Sequence, residues 1–188
     1  MVPRRDWYSM QPPSAIHGPA HAARVMVWTT VLTGDGPLFE AALWAAACHD
    51  LRREDDGVDP LHGERAAVWV LDELPRKLEE PPAGLDAIAS AVRWHAHADD
   101  ETEWRDPLLW VLKDADGLDR VRLGDLDPRR LRSKEARELV PQAEELVRRT
   151  RKYRDPVDIW SEAFRMGLSI DRLLDFEFGL LPDDDEDE

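Results

Sequence analysis

The chain has one cysteine, Cys48, so no internal disulfide can form, and a reducing compartment is the expectation. Long apolar runs are missing too. The longest clean one, Ala41 to Cys48, falls far short of the roughly 18 residues of a membrane helix. The opening "MVPRRDWYSMQPPS" has arginines but no apolar stretch behind them, so it does not read as a signal peptide. A cytoplasmic protein without membrane contact is therefore expected. Net positive charge is also lacking, since 25 Lys and Arg face 40 Asp and Glu for a net charge of -15. The tail Asp183 to Glu188 is wholly acidic, and the body remains acidic without it. Nucleic acid, which needs clustered positive charge, is not an expected partner. The two dense basic runs, "DPRRLRSK" (127–134) and "RRTRKYR" (148–154), read as solvated helix faces paired with nearby Glu.

What the chain does have is helical periodicity. With 43% hydrophobic residues, 188 positions suffice for one core. Pro19 and Pro37 stand where helices begin, and helices are expected over 19–33, 37–50, 60–78, 82–98, 106–119, 128–152 and 156–177. No strand is convincing and no linker divides the chain. The expectation is a single compact all-α domain over 14–182, with a loose segment at 1–13 and a disordered acidic tail at 183–188. Six of the eight tryptophans fall in these helices, where core packing accounts for them.

Spacing sorts the histidines. His21, Val25, Trp28 and Leu32 recur at the helical interval, which puts His21 in a buried stripe with Arg24 beside it. Phe39, Ala42, Leu43, Ala46 and His49 form a second stripe flanked by Asp50. Leu85, Ile88 and Val92 lead to His95, whereas His97 falls on the polar side, and His17 lies ahead of the first helix. Three helices thus bring an imidazole inward, and one adds a carboxylate. Buried ionisable groups need partners, and imidazole with carboxylate is a common donor set for a divalent transition metal. Cys48 points away from His49 and reads as a small buried residue.

A fourth donor comes from "WVLKDADGLDRVRL" (110–123), where helical periodicity alone leaves Asp114 and Asp116 equally placed. In order, His21 in "HGPAHAARV", the pair His49-Asp50 and an Asp of "KDADGLD" resemble the H…HD…D pattern of the HD-domain superfamily of metal-dependent phosphohydrolases. Its "K-x-A-D-x-L" pattern falls on Lys113, Ala115, Asp116 and Leu118, which favours Asp116. The resemblance covers about residues 17 to 123; the last third matches no motif.

The resemblance implies an all-α HD-type fold in which His21, His49, Asp50 and Asp116 hold a divalent ion (Mn, Fe, Co, Zn or Mg). His62 and His95 are placed to serve a second ion or to touch substrate. The implied chemistry is hydrolysis of a phosphate ester or anhydride of a nucleotide or other small phosphorylated metabolite. Arg24 and Arg53, with Arg52 as the alternative to the latter, are the nearest cations by sequence to clamp the phosphate. Arg52 and Arg53 stand where the alarmone hydrolases carry acids, and no "GYP" extension is present, so neither of those subgroups is favoured. Two other classes are open: a di-iron oxygenase using His21, His49, Asp50, His62, His95 and Asp116 as six ligands, and a non-catalytic protein in which the metal only staples helices. Self-association stays open.

Overall fold

Proline lacks an N–H that the first turn of a helix leaves unpaired anyway, and it opens three of the helices in this chain. The computed structural model describes residues 3–99 and 106–176. Among them lie α1 (Pro19–Thr33), α2 (Phe39–Cys48), α3 (His62–Asp72), α4 (Leu85–Trp94), α5 (Pro107–Asp119), α6 (Lys134–Glu138), α7 (Val140–Thr150), α8 (Pro156–Arg165) and α9 (Asp171–Leu174), and no β-strand. The chain forms a single all-α domain. No helix of the described residues is long and apolar enough to cross a membrane.

Helix α1 runs through the centre. Every residue from Ala20 to Thr30 is buried, as expected of a helix covered on all sides, and it packs against α2, α5 and α8. Trp160 of α8 donates from its indole to the carbonyl of Ala23 at 3.2 Å. The small side chains of Ala45, Ala46 and Ala47 in α2 let neighbouring backbones approach, so this helix lies buried between α1, α4 and α5. Its C-terminal end stops inside the core, and His49 and Asp50 follow at once.

Several elements are shorter than expected. Pro75 ends the helix expected over 60–78, because it cannot accept a place in the i to i-4 ladder; α3 stops at Asp72 and a 3₁₀ turn covers Leu74–Lys77. The helix expected over 82–98 begins only after Gly84, whose φ of 75° is left-handed. The single helix expected over 128–152 is broken into a 3₁₀ turn (Pro128–Arg130), α6 and α7. Ser133 caps α6, its hydroxyl accepting from the Ala136 amide at 3.1 Å, and Pro141 forces a fresh start for α7. The helix expected over 156–177 ends at Arg165, just before Gly167 at φ 74°.

The segment expected to be loose at 1–13 is docked where it is described. Trp7 and Tyr8 are buried, Ser9 donates its amide to the Leu51 carbonyl at 2.9 Å, and Arg52 donates to the Trp7 carbonyl at 3.0 Å. Two large aromatic side chains bury enough apolar surface to order it. The acidic tail at 183–188 lies outside the described residues.

Candidate metal centre

Five helix ends meet at one point. The N-terminal turns of α1 and α3 bring His21 and His62, the C-terminal ends of α2 and α4 bring His49, Asp50 and His95, and the last turns of α5 bring Asp116 and Asp119. Unpaired carbonyls at helix C-termini carry partial negative charge, so the ends of α2 and α4 favour a cation here.

Each of the four inward imidazoles is held by its Nδ1. That atom lies 2.8 Å from the Ala46 carbonyl in His49, 2.6 Å from the Val92 carbonyl in His95, 2.5 Å from the Asp59 carbonyl in His62 and 2.7 Å from Asp119 Oδ2 in His21. A carbonyl or carboxylate oxygen only accepts, so Nδ1 carries the proton in all four, and the Nε2 lone pairs are turned to the centre. These lone pairs face each other. The Nε2 atoms of His21 and His49 are 3.1 Å apart, and those of His62 and His95 are 3.0 Å apart. Two lone pairs at that range repel unless a cation or a proton lies between them.

Asp50 joins the two imidazole pairs. Its Oδ2 is 3.5 Å from His21 Nε2 and 3.7 Å from His49 Nε2, while its Oδ1 is 3.2 Å from His62 Nε2 and 3.7 Å from His95 Nε2. Asp116 Oδ1 lies 3.4 Å from His21 Nε2 on the first side. Metal bonds of about 2.0 to 2.1 Å separate neighbouring donors by about 2.9 Å at right angles and about 3.3 Å in a tetrahedron. The observed spacings start within that range, at 3.0 Å, and extend above it to 3.7 Å. These groups could hold a metal ion, with donors gathered as His17, His21 and Asp50, as His21, His49 and Asp116, and as His49, Asp50 and His95, all buried except the half-buried His17 and Asp116.

Protonation fits the same picture at His49, Asp50 and Asp116, whereas at His21 a proton competes with a cation for Nε2. Burial pushes the imidazolium form of His49 down to about 4, leaving that ring neutral. Burial and Arg122 oppose charge on His21, but the hydrogen bonds it donates to Asp119 and Asp50 prevail and raise its pKa. Burial also disfavours charge on Asp50, yet His49, His17, His21 and His62 together hold its carboxyl well below the usual range. Asp116 is lowered in the same way, against burial, by His21 and His49.

The structure separates residues that helical periodicity left equivalent. Asp114 turns away and accepts from the Arg132 amide, the Ser133 amide and the Ser133 hydroxyl at 2.7 to 2.8 Å, which anchors the entry to α6. Asp116 is the aspartate at the centre. Arg53 lies beside it, with Nη1 3.6 Å from Asp50 Oδ1 and 3.3 Å from His62 Nε2, whereas Arg52 is drawn off to the N-terminal segment. Arg24, expected to clamp phosphate at the metal, instead binds Asp119 through Nε at 2.5 Å and Nη2 at 3.2 Å, behind the His21 ring. Its effect on the centre passes through Asp119, which orients His21 as a carboxylate orients a metal-bound histidine. His97 packs against Trp94 away from the site, and Cys48 is buried.

Two residues of the centre were missed in the sequence. His17, on the turn ahead of α1, places Nδ1 2.7 Å from Asp50 Oδ2. Asp119 is fully buried and takes both Arg24 and His21. A signal existed for each: His17 precedes His21 by four residues and Asp119 follows Asp116 by three, the spacings that share a helix face. Comparison of the chain with protein-family models, with curated proteins and with solved structures finds no match.

Proposed function

We propose that this chain is a metal-dependent phosphohydrolase with a two-ion centre, cleaving a phosphate ester or anhydride of a nucleotide or other small phosphorylated metabolite. The observation that carries the reading is the division of Asp50, one oxygen toward the His21–His49 pair and the other toward the His62–His95 pair. The order of His21, His49-Asp50 and Asp116 along the chain, similar to that of the HD-domain superfamily, supports it. Imidazole-rich donors suit iron, cobalt or zinc better than magnesium, which prefers oxygen, and the two carboxylates also admit manganese.

His21, His49, Asp50 and Asp116 would hold one ion, and His62 and His95 a second, with Asp50 shared. When bound, such ions lower the pKa of water to supply hydroxide near neutral pH and polarise a phosphoryl oxygen. Asp119 keeps His21 in the tautomer that presents Nε2. Arg53, beside Asp50, offers its charge to a phosphate on the His62 side, and His17 is placed to take or return a proton next to Asp50 Oδ2.

The test is a panel of nucleoside phosphates, cyclic nucleotides and sugar phosphates, assayed with each metal in turn. Metal-dependent phosphate release that falls at least 100-fold in His49→Ala is the expected result. Six gathered donors also suit a di-iron oxygenase, and oxygen uptake by iron-loaded protein with no phosphate release would transfer the assignment there. Metal binding without turnover of either kind would leave a metal staple between helices.

A further inference from the structure

The basic run 148–154 divides in the folded chain. Arg148 and Arg149 pair with Glu145 at 2.6 Å, as helix-face cations do, and Lys152 lies over the Tyr153 ring. Arg151 and Arg154 have no carboxylate partner among the described residues. Arg154 uses only Nη1, donating to the carbonyls of Arg151 and Tyr153 at 3.1 and 3.0 Å. Both line a pocket of about 170 Å³ between the start of α1, the turn after α5 and the end of α7, together with Arg24 and Arg122.

Four guanidinium groups therefore surround one pocket in a chain of net charge -15. The carboxylate beneath them is Asp119, fully buried, which takes Arg24 and lies 3.4 Å from Arg122 Nε. One carboxylate cannot neutralise four cations. Arg24 is itself nine-tenths buried; its Nε and Nη2 go to Asp119, and its Nη1 has no partner among the described residues. Ile16, Leu123 and Val147 supply apolar walls. At about 30 Å³ per water, the space equals roughly six waters, enough for a phosphate group and part of what it is attached to.

We infer that this pocket is an anion site for a phosphate or pyrophosphate group, distinct from the metal centre. Guanidinium forks match the oxygens of phosphate, and a doubly charged anion answers the excess of positive charge that a single carboxylate would not. The turn bearing Ile16 separates the pocket from His17 and Asp50, so the two sites lie on either side of the His21–Asp119 pair. A ligand here would be either the distal phosphate of a long substrate or a separate effector.

Calorimetric titration of the full chain with inorganic phosphate and with pyrophosphate, after chelator treatment and at about 0.15 M salt, tests the site. Binding should persist within about twofold in His49→Ala and weaken at least tenfold in the Arg151→Ser/Arg154→Ser double variant, with helical content unchanged by circular dichroism. Undiminished binding in the double variant, or none in the wild type, would overturn the inference. Loss in His49→Ala alone would place the anion at the metal centre, overturning this site while leaving the phosphohydrolase reading intact. If the inference is right, adenosine diphosphate and monophosphate separate the two sources: a KM raised only for the diphosphate in the double variant marks substrate, and equal change for both marks an effector.

Discussion

Asp119 accepts hydrogen bonds from Arg24 and His21 while fully buried, and despite the cost of burial Arg24 first, then His21, hold its carboxyl at about 2 against an ordinary 3.8. Because the folded value lies below the unfolded one, the stability it contributes is complete well above 3.8 and is lost as pH falls toward 2. The size is about 2 kcal/mol at neutral pH, by the conversion of about 1.4 kcal/mol per unit. Asp119→Asn should therefore lower stability by about that amount at pH 7, by about half of it at pH 3 and by little at pH 2, read by urea unfolding. A cost independent of pH would show that Asp119 does not act through its charge. Neither role of this residue follows from the pattern of metal-ligand types, since its oxygens face His21 Nδ1 and Arg24 rather than the centre. His17 escaped for another reason: Pro19 marks the helix start, and only the turn before it carries the ring back to Asp50.

At the scale of elements, the centre depends on how closely α3 and α4 approach. Gly63 follows His62, and a Cβ there would meet the Arg93 carbonyl at 2.6 Å and the Val92 carbonyl at 2.9 Å. The Val92 carbonyl is the one that holds His95 by Nδ1. Backbone cannot yield as a flexible side chain does, so Gly63→Ala should push the helices apart and cost on the order of 1 to 3 kcal/mol. It should also weaken the ion on the His62–His95 side more than the other, as read by competitive metal titration; equal loss at both would contradict the division. Helices α1, α2 and α4 were legible in the sequence as apolar segments with a histidine near one end; a one-sided stripe marks His95 on α4, whereas α1 and α2 are buried on nearly all sides, so periodicity alone does not aim His21 and His49. The break of 128–152 was not legible, because Ser133 and Pro141 act as stops only once Asp114 and the neighbouring helices fix where the chain must turn. Periodicity alone could not separate Asp114 from Asp116; the motif resemblance favoured Asp116, and the path of 131–133 gives Asp114 its partners elsewhere.

Across the whole molecule, acidic charge dominates, yet basic groups gather around the candidate metal centre and the pocket behind His21. The fold brings two imidazole pairs to the two oxygens of one carboxylate, and that geometry is the central claim. Metal content per chain tests it most directly, measured by elemental analysis after loading with manganese, iron, cobalt or zinc and removal of free ion. The account predicts about two ions per chain in the wild type, about one in His95→Ala, and loss of both in Asp50→Ala with helical content largely kept. A single ion in the wild type that is indifferent to His95, or full occupancy in Asp50→Ala, would contradict it.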